Sequence, residues 1–208
     1  KAVVIGGEPV LIGERINPTG KPRLKQAILD GDLDYICRLG LEQLGNDAHI
    51  LDVNVGVPGI DEAAAAAKTV LALQAVTSAP LQIDTSDYAT MERALRLYNG
   101  KPLLNSVSGK EEALAQVLPL AKKYGAVVVG LALDDAGIPA TAAGRLAVAE
   151  KILARAAEYG IEKRNIIIDP LALTISTGPD NAAVDLEVIR ALAAQQVKTI
   201  MGVSNISF

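Results

Sequence analysis

Residues 49–84 read HILDVNVGVPGIDEAAAAAKTVLALQAVTSAPLQID, and this stretch indicates the fold class most clearly. A short run of branched apolar residues ends in Asp and Asn, and an Ala- and Leu-rich stretch with helical spacing follows it. A second apolar run then ends again in Asp. This order is typical of a strand, a crossover helix and a parallel strand. The stretch therefore predicts a parallel sheet whose strands end in polar residues.

The same alternation extends in both directions along the chain. Strands are predicted at Val10–Ile16, His49–Val53, Leu81–Asp84, Leu103–Val107, Val127–Ala132, Asn165–Asp169 and Lys198–Val203. Helices are predicted at Arg23–Leu44, Glu62–Thr77, Tyr88–Tyr98, Glu111–Tyr124, Ala142–Tyr159 and Val184–Ala194. Repeated βα units without a GxGxxG nucleotide fingerprint favour a barrel over a doubly wound sheet.

The predicted fold class is therefore α/β, a TIM (β/α)8 barrel. Such a barrel needs eight strands, and seven are predicted, so we expect the last βα unit to be missing from this chain. Residues 1–208 are predicted to form one barrel domain, truncated at its C-terminal end.

Composition excludes several classes of protein. The chain has 208 residues, 50% of them hydrophobic, which is enough for one sizeable core. Its net charge is −4 and its Lys and Arg residues are scattered, which argues against a nucleic acid partner. The longest apolar run, Ala126–Leu133, is too short to span a membrane. With one Cys and no signal peptide before the first strand, we expect a cytoplasmic protein without a membrane partner.

Polar residues recur at the predicted strand ends. They are Glu14, Asn17, Asp52, Asn54, Asp84, Asn105, Asp134, Asp169 and Asn205. Any one of them taken alone reads more readily as a helix N-cap or a turn former. In a parallel barrel, however, the carboxyl ends of the strands form the rim that carries the catalytic groups. Together these residues predict a lattice of hydrogen-bond donors and acceptors for a flat polar heterocycle, and a pterin, with its ring N–H and exocyclic amine, suits it.

Other chemistries have weaker support. Rim carboxylates suit Mg²⁺, but His49 is the only His, so a His-rich transition-metal site cannot form and no bound metal is predicted. His49 is expected to be a structural residue inside a strand. Cys37 is expected to be a small buried residue on a helix. Neither lies at a predicted strand end, which argues against a covalent hydrolase.

Six segments resemble, in chain order, the motifs of the methyltetrahydrofolate:corrinoid methyltransferases. They are Gly13–Gly20, Leu51–Gly56, Ile83–Ser86, Leu104–Gly109, Ile168–Leu171 and Gly202–Phe208. This pterin-binding family is related to the folate module of cobalamin-dependent methionine synthase and to dihydropteroate synthase. The resemblance implies that Asp84, Asn105 and Asp169 hold the pterin ring and that Asn205 contacts N5 of the folate. Asp52, Asn54, Glu14 and Asn17 are expected as further substrate-binding residues.

The resemblance also implies a reaction. The N5 methyl group of methyltetrahydrofolate would pass to the Co(I) of a cobalamin or other corrinoid carried by a partner protein, or the reverse, with tetrahydrofolate as the other folate. Three alternatives stay open: the folate-binding module of a cobalamin-dependent methionine synthase, a dihydropteroate synthase, and a non-catalytic pterin-binding module. The sequence leaves open whether the protein forms a homodimer.

Overall fold

A computed structural model of the chain describes residues 1–173 and 181–203. The chain divides into two compact units, Lys1–Asn105 and Ser106–Phe208. Elements of the first unit are β1 (Ile12–Ile16), α1 (Pro22–Asp30), α2 (Leu33–Gly45), β2 (Ile50–Val53), α3 (Glu62–Val76), β3 (Leu81–Asp84), α4 (Tyr88–Leu97) and the start of β4 (Leu103–Ser108). Those of the second are α5 (Glu111–Tyr124), β5 (Val127–Leu131), α6 (Ala142–Glu158), a 3-10 turn (Lys163–Asn165), β6 (Ile166–Asp169), α7 (Asn181–Ala194) and β7 (Lys198–Thr199).

Every strand pair described within a unit is parallel. In the first unit β1 pairs with β2, β2 with β3 and β3 with β4. In the second unit β5 pairs with β6 and β6 with β7. Strands therefore pair in chain order with helices between them, which confirms the predicted parallel α/β class. The eighth unit stays a prediction.

Strand alternation separates the helix-facing side chains from the polar ones. Leu51 on β2 is fully buried and faces α2, where its Cδ1 lies 3.2 Å from the Cβ position that a side chain at Gly40 would have. Successive strand side chains point to opposite faces of the sheet. Asp52 therefore points away from that helix, and on β3 the same alternation separates Ile83 from Asp84.

One predicted helix is two helices in the structure, so the prediction of a single helix over Arg23–Leu44 is wrong. Gly31 ends α1 in the left-handed conformation, with φ of 69°, and its N–H donates to the Ile28 carbonyl at 3.2 Å. Asp32 then caps α2, because its side chain accepts from the Tyr35 N–H at 2.9 Å. A Gly followed by a capping Asp ends one helix and starts the next.

A buried side chain from α2 fills an irregularity in β1. The pairing of β1 with β2 shifts register between Gly13 and Ile16. There the Arg15 N–H donates to Oε1 of Gln43 at 2.7 Å, and Nε2 of Gln43 donates to the Leu39 carbonyl at 3.2 Å. A Cβ at Gly13 would lie 2.6 Å from that same Oε1, so a larger residue there would displace the Gln43 side chain.

Three further expectations are refined. His49 lies just before β2 rather than inside a strand, and its Nδ1 accepts from the Leu11 N–H at 3.0 Å, a structural role as expected. Cys37 lies on α2 but is half-buried rather than buried, and desolvation, with the Asp34 charge, raises the pKa of its thiol. β7 comprises Lys198–Thr199 only, shorter than predicted.

Across residues 1–173 and 181–203, no helix is long and apolar enough to cross a membrane.

We predict that Gly40→Val destabilises the protein by about 1–3 kcal/mol, because α2 packs closely on its neighbours at this position. A Cβ there would lie 3.0 Å from Cδ2 of Leu73 and 3.2 Å from Cδ1 of Leu51. Urea unfolding measures the effect. Gly45→Ala is the matched control, because Gly45 ends the same helix with nothing within 4 Å of its Cβ position. The control should be neutral or stabilising by up to about 1 kcal/mol, and equal stability of the two variants would contradict the prediction.

Candidate active site

The first unit gathers acids and amides on three neighbouring strands, with Asp84 at the end of β3 and Asn105 within β4 rather than at its predicted end. Strand register pairs Asp52 with Gln82 and, one step further along, Asp84 with Asn105. Because side chains two residues apart share a face, Gln82 and Asp84 lie on the same face of β3. The four side chains therefore form two successive polar levels on that face.

The outer level consists of Asp84 and Asn105, and Asn54, which follows β2, orients the Asp84 carboxylate. Its Nδ2 donates to Oδ2 of Asp84 at 3.0 Å, and its Oδ1 accepts from the Gly56 N–H at 2.9 Å. Because the backbone of Gly56 occupies the amide oxygen, the amide nitrogen is directed at Asp84. Desolvation raises the pKa of the Asp84 carboxyl, the Asn54 bond lowers it, and the charges of Glu14 and Glu62 raise it further.

The inner level is a buried pair of Asp52 and Gln82, which are 1% and 4% exposed. Nε2 of Gln82 donates to Oδ1 of Asp52. The second carboxylate oxygen of Asp52 and the carbonyl oxygen of Gln82 are buried with no hydrogen-bond partner among the described residues. Desolvation above all, then the nearby charges of Asp84 and Glu14, raises the pKa of Asp52 to about 8, against the opposing effect of the Gln82 and Asn105 amides. Asp52 is therefore mostly protonated at neutral pH.

The acids of this cluster are also supported from α3. Glu62 is the first residue of that helix, and its Oε1 accepts a hydrogen bond from Oγ1 of Thr85 at 2.6 Å. Thr85 follows Asp84 directly, so this bond ties the end of β3 to the start of α3. The charges of Glu14 and Glu62 act on Asp84, and those of Asp84 and Glu14 act on Asp52, so four carboxyl groups contribute to this cluster. Such a cluster suits a ligand that presents several N–H donors.

In the second unit, Asp169 ends β6. Its Oδ1 accepts from the Leu171 N–H at 2.7 Å. Desolvation raises the pKa of this carboxyl, and the Asp185 charge adds to the rise, while the Leu171 bond and the Arg145 cation lower it. Among residues 1–173 and 181–203, no group of three or more His, Cys, Asp or Glu side chains is arranged to hold a metal ion.

Comparison with known proteins identifies the family. Residues 13–208 match the family described as pterin binding enzyme. The chain belongs to this family.

Two curated relatives of the chain are methionine synthases. The one from Mycobacterium tuberculosis (strain ATCC 25618 / H37Rv) is 30% identical over 211 residues, and the one from Mycobacterium leprae (strain TN) is 29% identical over 211 residues. Each match covers 96% of this chain but only 18% of the relative. The chain thus spans less than a fifth of the length of these relatives.

The fold is shared with dihydropteroate synthases. The Xanthomonas albilineans enzyme in complex with 7,8-dihydropteroate is 21% identical, with a TM-score of 0.72 over 94% of this chain and 72% of that one. The same enzyme with 4-aminobenzoic acid is 20% identical, with a TM-score of 0.73 over the same shares. At this identity the likeness concerns the fold alone. The predicted pterin-binding family and its relation to methionine synthase are confirmed.

The structure brings four of the predicted site residues together in the first unit, namely Asp52, Asn54, Asp84 and Asn105. Glu14 lies within β1 rather than at its end and is exposed, but its charge raises the pKa of both Asp52 and Asp84. Asn17 follows β1 and forms a turn, because its Oδ1 accepts from the Thr19 N–H at 3.0 Å. Their roles in ligand binding stay predictions.

The remaining predicted residues lie elsewhere. Asp169 belongs to the second unit, and Asn205 lies outside the described residues. Asp134 does not end a strand: β5 stops at Leu131, and Asp134 forms a tight turn by exchanging backbone hydrogen bonds with Gly137. Asp134 is thus a turn former.

Sequence reasoning missed Gln82, Glu62 and Thr85. Gln82 carried a signal: a polar residue inside the apolar run Leu81–Asp84, two positions before the terminal Asp, belongs to the same strand face. Glu62 gave no such signal, because an acid in the first turn of a helix is common for electrostatic reasons alone.

We predict that Asp52→Asn stabilises the protein increasingly as the pH rises from 5 to 8. An unfolded chain releases the Asp52 proton near its ordinary pKa of 3.8, whereas the folded protein keeps it to about pH 8. Between these values the unfolded state binds fewer protons, so the wild type loses stability as the pH rises. Asn mimics the protonated acid and removes this loss.

Urea unfolding of wild type and variant at pH 5 and pH 8 measures the difference. Asp87→Asn is the matched control, because Asp87 caps α4 and its hydrogen bonds to Thr90 lower its pKa. A lowered pKa gives stability that is fully present above the unfolded value of 3.8 and is lost only below it, so the effect of the control should be the same at pH 5 and at pH 8. An Asp52→Asn effect that does not change with pH would contradict the assignment.

Proposed function

We propose that this protein binds methyltetrahydrofolate and transfers its N5 methyl group to the Co(I) corrinoid of a partner protein, or catalyses the reverse. The observation that carries the proposal is the polar cluster of Asp52, Asn54, Asp84 and Asn105 in a chain of the pterin binding family. This chain is 30% identical to a methionine synthase over 96% of the chain's own length. The corrinoid is the methyl acceptor and belongs to the partner.

The polar cluster fits the pyrimidine edge of a pterin. A carboxylate accepts from the ring N–H and the exocyclic amine at once, while amides serve the carbonyl and the remaining ring nitrogens. Asp84 is the carboxylate best suited, because Asn54 fixes its Oδ2 and it lies at the outer level. Beneath it, the unpartnered carbonyl oxygen of Gln82 provides a further acceptor for N–H groups, and protonated Asp52 can donate from its unpartnered oxygen. Asp169 is the corresponding carboxylate of the second unit.

The chemistry requires orientation of the folate more than a nucleophilic side chain. Co(I) attacks the methyl carbon, a cobalt–carbon bond forms and the bond from carbon to N5 breaks, with its electron pair left on N5. N5 then takes up a proton and tetrahydrofolate is the product. Holding the methyl group in line with the attacking metal lowers the entropic part of the barrier. Any hydrogen bond to N5 that strengthens as the bond breaks lowers it further.

Asn205 is the residue that we assign to N5. An amide can donate to a neutral N5 through its NH₂ and, after a small rotation, accept from a protonated N5 through its carbonyl. One side chain therefore serves both ends of the reaction coordinate, and no ionisable group is needed at that position.

The proposal is tested by incubating the protein with methyltetrahydrofolate and reduced free cobalamin and following methylcobalamin formation. A protein that binds methyltetrahydrofolate without transferring the methyl group, even to a supplied corrinoid protein, would be a non-catalytic pterin-binding module. Because dihydropteroate synthases share the fold, a second arm supplies a pterin diphosphate and 4-aminobenzoate. Formation of dihydropteroate there would overturn the proposal.

We predict that Asp84→Asn weakens methyltetrahydrofolate binding by about 10- to 100-fold, because an amide cannot accept from two pterin donors and leaves one unpaired, at roughly 1–3 kcal/mol. Calorimetric titration measures the affinity. Asp87→Asn, three residues later, removes the same charge from a helix cap and should bind normally. Unchanged affinity in folded Asp84→Asn would remove Asp84 from the site.

We predict that Asn205→Ala slows single-turnover methyl transfer by roughly 10- to 1000-fold with the fold intact, because a contact that strengthens in the transition state is lost. If Asn205 only caps a helix, the variant instead loses about 1 kcal/mol of stability and transfers methyl at the normal rate. Rapid-mixing kinetics and thermal unfolding of the same preparation separate these outcomes.

A further inference from the structure

We propose that Arg145 is a positioning residue that holds the Asp169 carboxylate in the orientation in which it binds the pterin. The proposal deepens the function above and rests on it. All the contacts that carry it lie within the second unit.

Arg145 on α6 is a buried cation, only 1% exposed. Its Nε donates to the Pro139 carbonyl at 3.0 Å, and its Nη1 donates to the Pro170 carbonyl at 2.9 Å and the Leu171 carbonyl at 3.3 Å. Nε and Nη1 thus form a fork that binds the Pro139 carbonyl through one nitrogen and the segment that follows β6 through the other. Lys ends in a single ammonium nitrogen on a flexible chain and cannot reproduce this fork.

The segment that Arg145 holds is also the one that orients Asp169. Leu171 has φ of 64°, a left-handed conformation that is costly for a branched side chain. In that conformation its N–H donates to Oδ1 of Asp169 at 2.7 Å while its carbonyl accepts from Arg145. Leu171 is therefore fixed from both sides, and the orientation of the Asp169 carboxyl depends on a backbone conformation that Arg145 maintains.

A second carboxylate completes the arrangement. Asp185 on α7 is 2% exposed, and its Oδ1 accepts from Nη1 of Arg145 at 2.5 Å. Its other oxygen is buried without a hydrogen-bond partner among the described residues. The pair joins α6 to α7 across the segment after β6. The Arg145 charge also favours the ionised form of Asp169, the form that accepts hydrogen bonds from pterin donors.

Fold stability alone does not call for this pair. A buried ion pair is often no more stabilising than an apolar pair of similar volume, because desolvation offsets the attraction. A guanidinium can bind backbone carbonyls beside a candidate ligand residue and so fix the direction of that residue's side chain, whereas an apolar pair cannot.

Three changes test the proposal in the protein that contains this chain. Arg145→Lys keeps the charge and loses the fork, whereas Arg145→Met combined with Asp185→Leu removes both charges and leaves neither buried alone. We expect both to unfold cooperatively and to bind methyltetrahydrofolate 10- to 100-fold more weakly, with KM raised and kcat changed less than threefold. Asp169→Ala should weaken binding at least as much. Arg164→Lys, at an exposed Arg of the same unit, is the control and should bind normally.

A double-mutant cycle decides whether Arg145 acts through Asp169. In the Asp169→Ala background, Arg145→Lys should cause no further loss of affinity, because the group that it positions is gone. Additive losses, or normal binding by folded Arg145 variants while Asp169→Ala binds weakly, would overturn the positioning role and leave the proposed function intact. Normal binding by Asp169→Ala would instead remove Asp169 from the proposed site, and the role of Arg145 with it.

Discussion

Burial of carboxyl groups at the ends of parallel strands is the constraint on which the candidate site depends. Burial penalises a charged carboxylate, and in Asp52, Asp84 and Asp169 it is the leading cause of a raised pKa. The two units offset this desolvation penalty in different ways. In the first, neutral amides from Gln82 and Asn54 bond the acids. In the second, the cation of Arg145 opposes the rise at Asp169. In both units, hydrogen bonds from neighbouring groups orient the carboxyl oxygens.

The two polar levels of the first unit follow from backbone register. Parallel pairing sets Asp52 beside Gln82 and Asp84 beside Asn105, and the two-residue period of a strand turns their side chains away from the helices. Helix-facing residues such as Leu51 pack against α2 on the other side. Apolar packing on one face therefore fixes the direction of the polar groups on the other, and a shift of one residue in register would bury the acids against a helix.

Much of this could be predicted from the sequence, because apolar runs with terminal acids carry a strong local signal. Asp84 and Asp169 end their strands as predicted. Residues that act through tertiary contacts were harder to find. Arg145 lies at helical spacing from buried Val148, Ala149 and Ile152, so its burial was visible in the pattern, but its carbonyl partners come from a distant segment. The break at Gly31 was missed because the apolar spacing of Arg23–Leu44 continues across it.

The division of the chain into two units has a consequence for synthesis. Asp52, Asn54, Asp84 and Asn105 all lie in the first unit, Lys1–Asn105. A ribosome adds roughly 5–20 residues per second and domains generally form from the N-terminus onward. The partners of these acids have therefore all been translated before α5 is begun. The nascent chain therefore contains Asp52 together with its amide partner before Arg145, Asp169 and Asp185 have been polymerised.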